Sequence, residues 1–288
     1  MYPRSFEYVA PSSLDEALAA LNDNPGAKVM TGGMSLIPMM KLRLFSPPLV
    51  VDIGRVSGLD QISQDNGHIS IGALVRHAAT ASSDAVASGA AALAQAAALT
   101  GDPQVRNRGT TCGALAHADI AADQPAAALA LGATMIAKSV GGEREIAADD
   151  FFVDTLTSAL EPNEILVEVR VPTATSGTGS AYDKLGRRGG RSDYAVAGAA
   201  AVVTMEGGSV SSARVALTGV GTKPTLAAAT AQALIGTDGS DQAIKAAAQH
   251  AAEGVTVLED LYGSVEYKTH LAQVYAARAI EAAIAAAG

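Results

Sequence analysis

The sequence contains a single cysteine, Cys112, among its 288 residues. One thiol cannot form a disulfide within the chain, and a four-thiolate iron–sulfur cluster needs more cysteines than this chain has. The sequence therefore excludes an internal disulfide and a cluster of that kind held by this chain alone. If electrons pass through such a cluster, the cluster belongs to another subunit.

Positive charge and long apolar runs are also scarce. Lysine and arginine total 20 against 29 acidic residues, a net charge of −9, and the basic residues cluster only at Arg187, Arg188 and Arg191. Nucleic acid and anionic membranes are poor partners for such a chain. Although 49% of the residues are hydrophobic, no run approaches the ~20 apolar residues that a membrane span needs. The amino terminus lacks the apolar core of a secretory signal, so we expect a cytoplasmic protein.

The sequence offers no evident metal site or nucleophile. The five histidines do not lie near cysteine or carboxylates at the spacings of metal ligands. No Gly-x-Ser-x-Gly elbow is present, and Cys112 has no obvious base partner in the sequence. His117 alone falls within a suspected site. The other four histidines, which are His68, His77, His250 and His270, are interpreted as structural.

Two segments carry glycine and hydroxyl residues where a core segment would carry large apolar side chains. The first is Thr31-Gly32-Gly33-Met34-Ser35, and the second runs from Asn107 to Asp123. Backbone amides beside small residues can approach a ligand closely, and successive N–H donors beside hydroxyls suit phosphate oxygens. Either segment alone is more simply a tight turn. Together they can hold a diphosphate from two sides, which predicts a nucleotide cofactor. The first segment is not a Rossmann fingerprint, because Ile37 stands where a third glycine would be needed.

Polar residues beyond these segments leave alternatives open. Asp119 and Asp123 could accept hydrogen bonds from a ribose or ribityl chain, or Asp123 could simply cap the helix that follows it. The charged, glycine-rich stretch from Tyr182 to Tyr194 could fold over a planar ring, with Lys184 placing positive charge near a reduced, anionic flavin. Equally, this stretch could be a solvated approach to a hairpin.

Hydrophobic periodicity predicts an alternation of strands and helices. Ser13 and Glu16 form the capping box of a first helix, and residues 85–99 are predicted to form one alanine-rich helix that ends at Gly101 and Pro103. Beyond a small, polar linker at 173–180, strands 194–205 and 210–217 are predicted to form a hairpin across Gly207-Gly208. We expect units at residues 1–54, 55–175 and 176–288.

The motifs carry a family resemblance. Residues 27–44, with Thr-Gly-Gly-Met-Ser-Leu-Ile-Pro-Met-Met-Lys, and residues 107–123, with Arg-Gly-Thr-Thr-Cys-Gly-Ala-Leu-Ala-His-Ala-Asp, resemble the two flavin motifs of the medium subunit of molybdenum hydroxylases. The carbon monoxide dehydrogenase type, within the xanthine dehydrogenase family, is the most similar branch, and the likeness covers nearly the whole chain. The resemblance implies an α+β fold: a vanillyl-alcohol-oxidase/PCMH-type FAD-binding domain of two α/β subdomains, then a C-terminal α+β domain with a small antiparallel sheet and helices.

The resemblance also implies which residues contact FAD. Gly32, Gly33 and Ser35 would lie nearest the phosphates, Leu166 near the flavin ring, and Tyr194 over the face where the acceptor reacts. The full implied set is Lys28, Val29, Met30, Thr31, Gly32, Gly33, Met34, Ser35, Leu36, Gly109, Thr110, Thr111, Cys112, Gly113, Ala114, His117, Asp119, Asp123, Leu166, Lys184 and Tyr194. In the second motif, Thr111, Cys112 and Ala114 replace the usual Ile, Gly and Ser. The serine-to-alanine difference removes one hydroxyl donor.

The resemblance further implies partners. A small subunit would carry two [2Fe–2S] clusters and a large subunit a molybdenum–cytosine-dinucleotide cofactor, assembled as a dimer of heterotrimers with peripheral contact to an external electron acceptor. The shortage of cysteine agrees with this division. The alternatives are a stand-alone flavoprotein oxidoreductase and a nucleotide-binding assembly subunit without a redox role.

Overall fold

A computed structural model of the chain describes residues 2–188 and 193–288. Four residues of the predicted charged stretch, Gly189 to Ser192, and with them Arg191 of the basic cluster, lie outside the described residues. The described strands form three main sheets, which follow one another along the chain, and one two-stranded ribbon.

The amino-terminal sheet is small and parallel. Its elements are β1 (Glu7–Val9), α1 (Leu14–Asp23), β2 (Lys28–Met30), α2 (Leu36–Lys41) and β3 (Leu49–Asp52). The strand order is β1-β3-β2, and the central strand carries three consecutive buried residues, as a parallel strand covered on both faces should. Ser13 caps α1 by accepting a hydrogen bond from the amide of Glu16, as predicted. The Glu16 carboxylate accepts from the Ser12 amide, one residue earlier than a capping box requires.

The middle of the chain forms a five-stranded antiparallel sheet covered by short helices. Its elements are β4 (Ile62–Asp65), β5 (His68–Gly72), α3 (His77–Ser82), α4 (Asp84–Gly89), α5 (Ala91–Leu99), α6 (Pro103–Arg106), α7 (Thr111–His117), α8 (Asp123–Ala130), β6 (Thr134–Ser139), β7 (Gly142–Ala147), α9 (Ala148–Phe151), β8 (Phe152–Asp154), β9 (Thr157–Ser158) and β10 (Ile165–Pro172). The order is β4-β5-β10-β6-β7, while β8 and β9 form the ribbon. A bulge between Leu166 and Glu168 interrupts the pairing of β10 with β6.

The predicted single helix over residues 85–99 is wrong, because two helices, α4 and α5, meet at Ala90 in a non-helical conformation. Gly89 allows the break to pack tightly, since a Cβ there would lie 2.8 Å from the Ile69 side chain. The hydroxyl of Ser180 then accepts a hydrogen bond from the Ala92 amide at the start of α5. The helix propensity of alanine alone does not predict these tertiary contacts.

The carboxy-terminal part is an antiparallel sheet backed by a long helix. Its elements are β11 (Thr178–Gly186), β12 (Ala195–Glu206), β13 (Ser209–Thr218), β14 (Thr225–Leu226), α10 (Ala228–Leu234), α11 (Asp241–Ala248) and α12 (Val265–Ala287). The predicted hairpin at Gly207-Gly208 is present as β12 and β13. Strand β11 occupies the residues interpreted as the end of the linker and the start of a loop, because pairing with β12 compensates for the weak strand propensity of its glycines and charged residues.

Strand β12 explains the alanine content of this region. Its small side chains alternate between two hydrophobic cores: Ala200 joins the core of the middle helices, and Ala199 and Ala201 join the core beneath α12. A strand buried on both faces between close layers accommodates only small residues. Within the described ranges, no helix has both the length and the apolar character needed to cross a membrane.

Candidate functional site

The two glycine-rich segments meet, although 79 positions separate Thr31 from Thr110 in the sequence. The hydroxyl oxygens of these two threonines lie 2.8 Å apart and share a hydrogen bond. Beside them the backbones touch, since a Cβ on Gly32 would lie only 2.1 Å from the carbonyl oxygen of Arg108. The first segment follows β2 and the second precedes α7, so the contact joins the amino-terminal sheet to the middle one.

The first segment keeps its backbone donors free. Among the described residues, none accepts a hydrogen bond from the amides of Gly32, Gly33, Met34 or Ser35. Gly33 has a φ of +73°, a conformation that favours glycine. The Ser35 hydroxyl is also uncommitted, because Ser35 precedes α2 without a side-chain capping bond. Four successive amides and a hydroxyl are therefore available as donors, a combination of the kind that binds phosphate oxygens.

The second segment is shaped by one capping interaction. Thr110 caps α7 by accepting a hydrogen bond from the Gly113 amide at 3.1 Å. A Cβ on Gly113 would lie 2.7 Å from this hydroxyl and 2.9 Å from that of Thr31. Glycine at 113 therefore allows the two hydroxyls to bond. Helix α7 ends at His117, and its C-cap residue Ala118 adopts a left-handed conformation.

Three predicted contact residues turn their side chains into the core. Thr111 is fully buried and its hydroxyl lies 2.7 Å from that of Thr80. The buried Cys112 thiol donates to the carbonyl of Ile71, and burial raises the pKa of this thiol. Leu166 is buried in β10. Ala114 is half-buried. Thr111 and Cys112 thus offer only backbone atoms to a ligand.

A buried histidine, His77, packs against the second segment. His77 donates its backbone amide to the carbonyl of Gly109, and a Cβ on Gly109 would lie 2.7 Å from the ring. The amide nitrogen of Gln124 lies 2.7 Å from His77 Nδ1. This hydrogen bond joins α8 to the start of α3. Burial lowers the pKa of His77 to about 4, which agrees with its interpretation as a structural histidine.

Asp123 and Lys184 are placed differently from the sequence interpretation. Lys184 Nζ lies 2.8 Å from Asp123 Oδ2, and only 2% of the lysine and 3% of the aspartate are exposed. The Tyr182 hydroxyl donates to the same carboxylate. Burial raises the pKa of Asp123 to about 6, against the opposing effect of Lys184. Neither charge faces an open surface. The capping alternative is not what is seen either, because Ala122 is the N-cap of α8.

Lys184 nevertheless acts on the neighbourhood of Tyr194. Its ammonium also donates to the carbonyl oxygens of Leu99 and Asp193. The residue after Asp193 is Tyr194, 43% exposed, whose phenol has a pKa raised first by burial and then by the charge of Asp119. The half-buried His117 lies near the same carboxylate, and burial lowers its pKa. The end of the second segment and Tyr194 therefore share one surface.

The remaining predicted residues lie along the first segment. Lys28 extends its ammonium over the ring of Phe45, 5.3 Å from the centroid. Val29, Met30, Met34 and Leu36 are half-buried. Sequence reasoning included Arg187 only as part of the charged stretch, and it did not assign His77, Gln124, Thr80 or Tyr262 to the site. No local signal marks these residues, because they reach the site only through packing.

The arrangement combines a row of free amides and the Ser35 hydroxyl with a half-exposed aromatic ring, Tyr194, near the end of the second segment. The residues that the structure describes include no cluster of His, Cys, Asp and Glu that could hold a metal ion. Chemically, the site is suited to bind an anionic dinucleotide and to cover a planar group.

Comparison with known proteins identifies the family. A model of the FAD binding domain in molybdopterin dehydrogenase matches residues 4–174. A model of the CO dehydrogenase flavoprotein C-terminal domain matches residues 180–283. The chain therefore belongs to the family of FAD-binding subunits of molybdopterin dehydrogenases.

More narrowly, it is an FAD-binding medium subunit of the carbon monoxide dehydrogenase-like molybdenum hydroxylases. It is 41% identical, over 98% of each chain, to the carbon monoxide dehydrogenase medium chain of Hydrogenophaga pseudoflava. It is 40% identical to the 6-hydroxypseudooxynicotine dehydrogenase complex subunit alpha of Paenarthrobacter nicotinovorans, over 99% of this chain and 96% of that one.

A solved structure extends this similarity to the fold. Carbon monoxide dehydrogenase from Hydrogenophaga pseudoflava, in a form lacking the Mo-pyranopterin moiety, superimposes with a TM-score of 0.95 at 42% identity and covers 100% of both chains. The family and the fold class inferred from the motifs are confirmed.

Proposed function

We propose that the two touching segments hold the diphosphate of FAD between them. The amides of Gly32 and Gly33 and the hydroxyl of Ser35 would lie nearest the phosphates, and the rest of the Lys28–Leu36 run would line the adenosine side. The observation that carries the proposal is the Thr31–Thr110 contact, which brings a row of free amides against the second flavin motif. These donors match the chemistry of a diphosphate.

The opposing wall comprises Gly109, Thr110, Thr111, Gly113 and His117. Thr111 and Cys112 contribute backbone atoms, in keeping with their buried side chains. Ala114 contributes a methyl group and no hydroxyl. Burial lowers the pKa of His117, which favours a neutral ring as the hydrogen-bond partner of the cofactor.

The flavin end of the site lies at Tyr194 and Asp119. Tyr194 would cover the face of the flavin at which the acceptor reacts, and Leu166 would form part of the apolar surface beneath the ring. Asp123 and Lys184 act on the flavin end indirectly. Their buried ion pair fixes the carbonyl group of Asp193 and thereby the backbone of the adjacent Tyr194.

The chain's own residues bind, orient and cover the cofactor. When bound, FAD supplies the redox chemistry with which this subunit passes electrons from partner [2Fe–2S] clusters to an external acceptor. We place the clusters on a small subunit and a molybdenum–cytosine-dinucleotide cofactor on a large one, in a cytoplasmic dimer of heterotrimers. The single cysteine and the medium-chain relatives support this division.

We also propose that the chain divides into units at 1–54, 55–175 and 176–288. The first two would hold FAD between them and the third would carry Tyr194. Substrate selection would reside on the large subunit, since relatives that match this chain over almost its whole length are named for different oxidations.

The test is reconstitution of the full chain with FAD. Purified protein is incubated with excess FAD, freed of unbound flavin, and examined by absorbance at ~450 nm, where the oxidised cofactor absorbs. We expect about one FAD per chain, and iron and molybdenum in the complex that co-purifies from the native host.

Two outcomes would overturn the proposal. Protein that retains no flavin after incubation would favour a non-redox assembly subunit. A chain that binds FAD and oxidises a small substrate without iron or molybdenum would favour a stand-alone oxidoreductase.

A further inference from the structure

Tyr194 does not stand alone at the surface. The guanidinium of Arg187 lies 5.1 Å from the ring centroid of Tyr194 and 4.6 Å from that of Tyr262. Both distances fall within the range of cation–π attraction. Arg187 directly follows β11, Tyr194 precedes β12, and Tyr262 belongs to the segment between α11 and α12. Three separate parts of the carboxy-terminal region thus stack on one another.

Arg187 is held by ring faces and by its backbone. Its amide donates to the carbonyl oxygen of Tyr194 at 2.9 Å. Its buried Nε finds no hydrogen-bond acceptor within the part of the chain that the structure describes. Asp193 and Asp260 are the carboxylates close enough for Arg187 to lower their pKa values, and each already pairs with another cation, Arg188 and Lys268 respectively. The aromatic faces therefore orient the guanidinium.

The Tyr262 end of this stack is firmly anchored. The Tyr262 amide donates to the Asp260 carboxylate at 2.8 Å, and the other oxygen of that carboxylate lies 2.8 Å from Lys268 Nζ. Lys268, buried on α12, also donates to the carbonyl oxygen of Gly219 at the end of β13. Tyr262 is consequently tied to both the long helix and the carboxy-terminal sheet.

We infer that Arg187 and Tyr262 are positioning residues that hold the Tyr194 ring against the flavin, so that the segment before α12 sets how readily an external acceptor reaches the cofactor. This inference rests on the proposed placement of Tyr194 over the flavin. Removing the Tyr262 ring frees one face of the guanidinium and loosens the Tyr194 ring. None of the amides or hydroxyls proposed to hold the diphosphate is altered by this change.

The experiment uses the full chain together with the subunits that co-purify with it. Four variants are compared with the unaltered protein: Tyr262→Ala, Tyr262→Phe, Tyr194→Ala as the reference, and Tyr267→Ala as a control on a nearby half-exposed tyrosine. Three quantities are measured: FAD content per chain, the visible circular dichroism of the bound flavin, and the rate constants for reoxidation of the reduced flavin by dioxygen and by ferricyanide.

We expect Tyr262→Ala to retain FAD, to change the flavin dichroism in the same direction as Tyr194→Ala, and to speed reoxidation by dioxygen about threefold or more, on the scale of one cation–π contact. Tyr262→Phe keeps the ring face and should match the unaltered protein. Tyr267→Ala should match it too.

Two results would overturn the inference while leaving the proposed function standing. One is a Tyr262→Ala protein with unaltered dichroism and reoxidation rates. The other is a Tyr262→Phe protein as altered as Tyr262→Ala, which would assign the effect to the hydroxyl. Tyr194→Ala protein that binds FAD with unaltered dichroism and rates would remove the placement of Tyr194 and this inference with it. Failure of the unaltered chain to bind FAD would instead refute the proposed function.

Discussion

Several positions of the candidate site require glycine because no side chain would fit there. Gly32, Gly109 and Gly113 each stand where a Cβ would come within 2.1–2.7 Å of a neighbouring atom. In each case that neighbour belongs to the protein: the Arg108 backbone, the His77 ring or the Thr110 hydroxyl. Gly32 and Gly113 therefore allow the two segments to touch, while Gly109 allows the second segment to pack against His77.

Gly113→Ala tests this role at the scale of a single methyl group. The added carbon would press against the hydroxyls of Thr31 and Thr110 and weaken the hydrogen bond between them. Loss of about one net hydrogen bond predicts roughly fivefold weaker FAD binding. The measurement is a fluorescence titration of the FAD-free chain.

Gly141→Ala is the matched control. A Cβ at Gly141 meets only the Ser139 hydroxyl at an ordinary 3.5 Å, so this variant should bind FAD like the unaltered chain. Equal affinities for the two alanine variants would show that the Thr31–Thr110 contact does not shape the site.

At the scale of secondary-structure elements, one buried ammonium connects the scaffold of the site. Lys184 on β11 bonds to the end of α5 through Leu99, to α8 through Asp123, and to the segment before β12 through Asp193. A charge so fully removed from water is tolerated because its partners replace the lost hydration. These bonds fix the spacing between the middle helices and the carboxy-terminal sheet.

Lys184→Met should destabilise the fold by about 3–5 kcal/mol, because it leaves the Asp123 carboxylate buried without its cation. The free energy of unfolding is measured by urea denaturation. Asp123→Asn combined with Lys184→Met should recover part of this loss, since the remaining groups are neutral.

Arg170→Met provides the comparison on partly exposed ion pairs, which Arg170 forms with Glu145 and Glu168, and a loss of at most about 1 kcal/mol is expected there. A Lys184→Met protein no less stable than Arg170→Met would contradict the structural role of the buried pair.

At the scale of the whole molecule, stability should depend on pH through His77. The neutral ring is buried between α8 and the second segment, and its pKa of about 4 lies below the ordinary value of 6.5. Between these two values the unfolded chain binds a proton that the folded chain does not. The contribution of His77 is therefore complete above pH 6.5 and is lost as the pH falls toward 4.

His77→Gln isolates this contribution, because it removes the titrating group. We expect the unaltered chain to lose on the order of 3 kcal/mol more stability than His77→Gln as the pH falls from about 7 to about 4. Denaturation at a series of pH values measures the difference, and subtraction cancels the opposite trend of Asp123, whose pKa is raised.

His270→Gln, at an exposed position on α12, serves as the control. If the His77→Gln and unaltered proteins lose stability in parallel, the buried ring does not titrate as described.

Local sequence determined much of this protein. The Ser13 cap, the Gly207-Gly208 hairpin and the two glycine-hydroxyl segments were all predicted from neighbouring residues, because turn and cap signals act within a few positions. The two long motifs also sufficed to identify the family and its cofactor.

Only the tertiary structure decided the rest. The break at Ala90, strand β11, the buried pair of Asp123 with Lys184 and the stack of Arg187 between two tyrosines all depend on partners distant in sequence. The sequence alone does not tell whether a charged side chain will face water or a buried counter-ion. The difference arises from burial, which the fold creates when it brings separate elements into contact.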